Sequence, residues 1–165
     1  MSKNCVNVAI VGMGIGRPNG MALANNKRGK VVALCDLDQS RMEDFAKELP
    51  DSVKYYTDYK EMCQDPDIDA VFVGTPNQWH VPIGLEVVNN GKHVMITKPL
   101  ADSELAEEEM VAAANEAGVV NMMSLSKRFG DGCCHLGHLA RDGYFGELYY
   151  ARSRLRRSLV GVGYT

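Results

Sequence analysis

No apolar run in this chain is longer than a strand, so a transmembrane helix is not expected. An excess of positive charge is also missing. Lys and Arg number 18 against 21 Asp and Glu, a net charge of −3, which argues against general nucleic-acid binding and against attachment to an anionic membrane. There is no C-x-x-C. The five cysteines, Cys5, Cys35, Cys63, Cys133 and Cys134, are odd in number and predict reduced thiols in a cytoplasmic setting rather than a disulfide framework. The opening Met-Ser-Lys-Asn-Cys passes at once into a strand and does not read as a secretory leader. Internal repeats and low-complexity tracts are absent too.

What remains is an ordinary globular composition. At 165 residues and 45% apolar, the chain has room for one domain and its core, with or without a piece of a second. Cys133, Cys134, His135 and His138 form a dense group, and Cys134 and His138 would share a helix face. Structural zinc usually takes two separated ligand pairs, and no second pair exists, so helix packing is expected here and no metal.

Periodicity alternates between strand and helix. Strands are predicted at Val6–Val11, Lys30–Cys35, Val53–Tyr56, Asp69–Gly74, Lys92–Ile96 and Val119–Met123. Helices are predicted at Arg17–Asn26, from a Ser40 cap to the stop at Pro50, at Tyr59–Gln64, at Trp79–Asn90 before Gly91, and at Ser103–Ala117 before Gly118. Apolar runs without strict alternation mark strands buried on both faces. The expectation is an α/β, Rossmann-like, doubly wound parallel sheet over residues 1–124. A different pattern follows: a helix at Asp131–Arg141, a turn, and a period-two strand at Glu147–Arg157. Residues 125–165 therefore read as the incomplete beginning of a second, α/β open-sheet domain. Arg152, Arg154 and Arg156 would lie on one strand face, exposed or facing substrate.

The first strand runs into Gly12-Met13-Gly14-Ile15-Gly16. In a G-x-G-x-x-G turn the first glycine allows the bend, the second admits a pyrophosphate, and the third permits close helix–strand contact. Gly12 and Gly14 fill the first two places. Arg17 stands where the third glycine should be, and Gly16 comes one residue early. Asp36, directly after the second strand, is the acidic partner expected for ribose hydroxyls. Gly12, Gly14, Ile15, Gly16 and Asp36 are thus candidate cofactor-binding residues. The carboxylate would repel a 2′-phosphate, which favours NAD, while nearby Arg41 keeps NADP as the alternative. A glycine turn that binds no nucleotide is the contrary reading.

Further along, Thr75-Pro76 closes the fourth strand, His80 follows four residues after the proline, and Gly91-Lys92-His93-Val94 precedes Lys98-Pro99. With Val-Ala-Ile-Val-Gly-Met-Gly, Lys-Arg-Phe and Gly-Tyr-Phe-Gly-Glu-Leu-Tyr-Tyr-Ala-Arg, this series resembles the Gfo/Idh/MocA family of NAD(P)-dependent oxidoreductases, which act mainly on sugars, polyols and related compounds. The resemblance implies a Rossmann domain followed by a mixed-sheet domain that carries much of the substrate pocket and dimer interface, hence a homo-oligomer for a full-length member. It implies that Thr75, Pro76, Asn77 and His80 line the cofactor cleft. Lys98 would be the active-site lysine, beside the nicotinamide and the substrate oxygen, and Arg128 would lie near the nicotinamide at the domain junction. A sugar-like small molecule is the implied substrate.

Three departures accompany the resemblance. The glycine loop is one residue short, and Asn19 replaces the usual His. Thr97 replaces the usual acidic residue before Lys-Pro. The Asp and His that the family typically carries in its second domain are missing, so the chain as given is expected to fall short of a complete enzyme. A non-catalytic NAD-binding or regulatory module is the rival reading.

Overall fold

The computed structural model describes residues 5–154. The chain divides after Leu125 into two compact units. In the first, six strands form one parallel sheet in the order β3-β2-β1-β4-β5-β6. They are β1 (Val6–Val11), β2 (Gly29–Cys35), β3 (Lys54–Tyr56), β4 (Ala70–Val73), β5 (His93–Thr97) and β6 (Asn121–Ser124). The helices are α1 (Gly16–Ala24), α2 (Gln39–Ala46), α3 (Tyr59–Cys63), α4 (His80–Asn89) and α5 (Glu104–Glu116).

Both faces of the sheet are covered, which is why its strands read as unbroken apolar runs. In β1, Val8 and Ile10 pack with Leu34, Phe72 and the α2 residues Met42 and Phe45. Ala9 and Val11 face the opposite layer, with Met62 of α3, Val87 of α4 and Met110 of α5. Ile10, Leu34, Phe45 and Met110 are each almost wholly buried, and each contributes on the order of 2 kcal/mol of apolar transfer energy. Strand order reverses between β1 and β4, and the crevice beyond the C-terminal ends of strands at such a reversal is the usual ligand position in an open α/β sheet.

Element boundaries follow local chemistry. Asp38, not Ser40, caps α2: its Oδ1 accepts from the Ser40 amide at 3.0 Å and the Ser40 hydroxyl at 2.6 Å. A carboxylate two residues upstream outcompetes the serine and places Ser40 inside the first turn. Ser103 caps α5 as expected, with Glu104 and Glu107 in the first turn where the helix dipole favours negative charge. The predicted helix from Trp79 starts instead as a 3-10 turn, Asn77–Trp79, before α4.

Where the chain enters β4, polar groups are cross-linked. Lys92 is buried, and its ammonium donates to the carbonyls of Asp65 (2.7 Å) and Ile68 (2.8 Å). The Asp65 carboxylate accepts from Lys54 and from the Tyr56 hydroxyl, both at 2.8 Å. Burial alone would raise the Asp65 carboxyl, but Lys54, the Asp67 amide and Tyr56 together bring it down to about 2.

The second unit contains α6 (Asp131–Arg141), as expected, but none of its residues is buried. The strand predicted at Glu147–Arg157 does not form over residues 147–154, which are exposed; residues 155–157 lie outside the described part. Alternating residues make a strand only beside another strand edge, and no strand occurs among the described residues of this unit. Among the described residues, no helix is long and apolar enough to cross a membrane. Nor does any group of three or more His, Cys, Asp or Glu come together to hold a metal.

Candidate cofactor site

The floor of the crevice is made of backbone. Gly12 has φ +84°, and a Cβ there would lie 2.8 Å from the Gly74 carbonyl oxygen. Gly74 is equally confined, since its Cβ would meet the Gly16 nitrogen at 2.7 Å. A Cβ on Gly16 would meet Ile10 Cγ2 at 2.6 Å, so Gly16 fills the close-packing place one position early, and the shortened loop still lets α1 dock onto β1. The Gly16 amide donates to the Gly12 carbonyl at 3.0 Å, which closes the turn. Gly14 differs from the others, because a Cβ there would meet nothing within 4 Å.

Asp36 does more than its sequence position suggested. Its half-buried carboxylate accepts from the Met13 amide at 2.7 Å and from the Asp38 amide at 3.1 Å. It therefore ties the glycine loop to the end of β2. Each carboxylate oxygen accepts more than one hydrogen bond, which leaves capacity for ribose hydroxyls. The neighbouring Cys35 thiol is pushed up to about 12 by burial and by Cys63, and stays inert.

The rim is apolar and exposed. Ile15 follows β1, Leu37 follows β2 and Trp79 follows β4, and all three present side chains to solvent. Pro76 and Asn77 are exposed at the 3-10 turn before α4. Arg17 is committed elsewhere: its guanidinium pairs with Glu48 and lies 5.8 Å from the Phe45 ring centroid. Asn19 donates to the Ile15 carbonyl at 2.8 Å and steadies the loop locally.

His80 is fully buried although Asn77, Gln78 and Trp79 before it are exposed. Its Nδ1 lies 2.7 Å from the Pro99 carbonyl oxygen and its Nε2 lies 2.9 Å from that of Thr75. Each ring nitrogen thus faces a backbone carbonyl, one after β4 and one after β5. Lys98, one residue beyond β5, is exposed and has no hydrogen bond or ion pair among the described residues. Thr97 beside it is buried. Arg128 belongs to the second unit, exposed on the Ser126–Phe129 turn.

These residues fit a dinucleotide. Space lies open above Gly14, while Thr75 Oγ1 is buried without a hydrogen-bond partner among the described residues. The start of α1 concentrates amides that intrahelical bonds do not use, which suits a diphosphate. The orphan hydroxyl, the placement of His80 between two carbonyls and the Asp36–Met13 link were not legible in the sequence. The T-P-x-x-x-H spacing was the only signal pointing to the second of these.

A crevice at the strand-order reversal, floored by glycine backbone and flanked by an acid at the end of β2, defines a dinucleotide-binding Rossmann domain. The chain belongs to the Gfo/Idh/MocA oxidoreductase family, whose NAD-binding Rossmann fold matches residues 6–125. It is similar to trans-1,2-dihydrobenzene-1,2-diol dehydrogenase of Bos taurus, with 32% identity over 81% of this chain and 39% of that one. It is also similar to 1,5-anhydro-D-fructose reductase of Ensifer adhaerens, with 41% identity over 56% of this chain and 27% of the relative. Among solved structures, scyllo-inositol dehydrogenase from Lactobacillus casei with bound NAD(H) and scyllo-inositol matches with a TM-score of 0.81 at 25% identity, over 87% of this chain and 43% of that one. The chain spans less than half the length of each of these relatives.

Proposed function

We propose that this chain is the cofactor-binding part of an NAD-dependent dehydrogenase acting on a sugar, polyol or related hydroxy compound. The observation that carries the reading is the glycine floor: Gly12 and Gly74 in backbone contact, with the space above Gly14 open. In this reading Gly12, Gly14, Ile15 and Gly16 cradle the pyrophosphate, Asp36 accepts from the ribose hydroxyls, and Thr75, Pro76 and Asn77 line the nicotinamide end. The bound nicotinamide supplies or receives the hydride. The Lys98 ammonium would hydrogen-bond the substrate oxygen and stabilise the negative charge developing there, while in the oxidation direction the hydroxyl proton would pass to solvent water. The substrate class is supported by relatives named for a dihydrobenzene diol, an anhydrofructose and scyllo-inositol. The five free cysteines support a reducing, cytoplasmic setting.

The test is calorimetric titration with NAD and with NADP, on the natural chain and on Gly14→Val. Gly14 has ordinary φ and open space around its Cβ, so the variant should fold with an unchanged Tm yet lose NAD binding. The natural chain should bind NAD more tightly than NADP. Equal NAD binding by both proteins would defeat the reading. A non-catalytic NAD-binding module is the second reading, favoured by Thr97 in place of the acidic residue beside Lys98. Binding of NAD without turnover of any polyol by the longest available form of the protein would select it.

A further inference from the structure

Resting on the reading above, we propose that His80 is a positioning residue that holds the Lys98 segment against the Thr75 end of β4 and so presents the lysine ammonium to the cofactor crevice. Thr75 and Pro99 follow β4 and β5, which are neighbours in the sheet, paired from Ala70 with His93 to Val73 with Ile96. Beyond those pairs the two segments continue without strand pairing, and the imidazole spans the gap with one nitrogen on each carbonyl. The connection is direct, because Pro99 is bonded to Lys98.

Several features distinguish this arrangement from an ordinary core histidine. Both of its partners are backbone acceptors, in the two segments that carry candidate site residues. A neutral imidazole has a single N–H and satisfies one carbonyl, so both contacts become hydrogen bonds only with a proton on each nitrogen. Either way the ring's two edges fix the spacing of the segments, since each nitrogen stands within 3 Å of its carbonyl. The Lys98 side chain has no partner of its own among the described residues, so its placement is inherited from this backbone. Leu100 and Ala101, both buried, anchor the far side of the same segment.

The experiment uses the whole chain with its lysines reductively methylated with 13C, a change that keeps the positive charge. The Lys98 signal is assigned by its loss in Lys98→Arg. Spectra of the natural protein, His80→Phe and His80→Gln are compared with and without NAD, and NAD affinity is measured by calorimetry. Phenylalanine keeps the ring's bulk but donates to neither carbonyl, whereas glutamine retains a donor. In His80→Phe the Lys98 signal should shift and sharpen and its response to NAD should disappear, while the distant Lys47 signal stays put. NAD affinity should change by less than about tenfold. His80→Gln should recover part of the NAD response, which a merely structural role would not produce. If His80→Phe does not fold, the comparison of His80→Gln with the natural protein decides. A Lys98 signal identical to the natural one in the folded variants, with NAD bound, would overturn the proposal. If the natural protein itself binds no NAD, the cofactor reading fails separately, and the shift of the free-protein Lys98 signal decides the role of His80.

Discussion

The two polar regions of the first unit are built on opposite terms. Around the entry to β4, polar groups find one another: Lys92 on two carbonyls, Asp65 between Lys54 and Tyr56, and the Asn7 amide on Asp69 Oδ2 at 2.9 Å. At the glycine turn, polar capacity is left over among the described residues: the buried Thr75 hydroxyl has no hydrogen-bond partner, and the Asp36 carboxylate has lone pairs to spare. Buried polar groups without partners cost stability. On this contrast the entry to β4 braces the fold, while the glycine end of the sheet keeps polar capacity that the described residues do not use.

The sharpest way to test the contrast is to break the brace. Lys92→Met removes a buried ammonium from two carbonyls and should cost about 3 kcal/mol in urea unfolding, while NAD affinity of the folded fraction stays unchanged. A cost near zero would mean the region only looks like a brace. Next in size, Gly12→Ala forces a Cβ against Gly74 at positive φ and should cost about 2 kcal/mol. Unlike Lys92→Met it should also abolish NAD binding in calorimetry.

Acid should act on the brace through Asp65. Asp65 sits near 2 in the fold against an ordinary 3.8, so as pH falls the unfolded chain takes up the proton first. Its stabilisation, on the order of 1–2 kcal/mol, is complete above about pH 5 and is lost between about pH 4 and 2. Asp65→Asn should flatten that part of a stability–pH curve, and an unaltered curve would count against the network. The smallest effect belongs to Asp36→Asn, which keeps one acceptor oxygen for the Met13 amide but loses the second acceptor and the charge. It should cost about 1 kcal/mol, weaken NAD about tenfold, and narrow the preference for NAD over NADP. Asp36→Ala is the poorer probe, since it also frees Met13 from its anchor.

Much of this architecture was legible because its causes are local. Alternating strand and helix periods, Gly91 and Gly118 at positive φ after helices, and Ser103 at a helix start each follow from the residue concerned. The start of α2 was misread because two capping residues compete within three positions, and the helix ends at Ala46, ahead of the stop expected at Pro50. The strand predicted from Glu147 failed for a non-local reason: pairing requires an edge that the residue pattern cannot supply. In the site, Gly12, Gly14 and Asp36 could be picked out by spacing, and the place that Gly16 fills by its lying one residue early. The bridge from His80 to Pro99 could not, because it depends on how two strand ends lie side by side.

The interlocked glycines carry an evolutionary consequence. Gly12 is confined by Gly74, and Gly74 by Gly16, in both cases by main-chain atoms rather than by side chains. A second substitution can trim a neighbouring side chain, but none can trim a carbonyl or an amide. Compensation is therefore closed to these positions, and they must be kept or lost together. Ile15, Leu37 and Trp79 on the rim are exposed and meet no such barrier, so they can change singly where the glycines cannot.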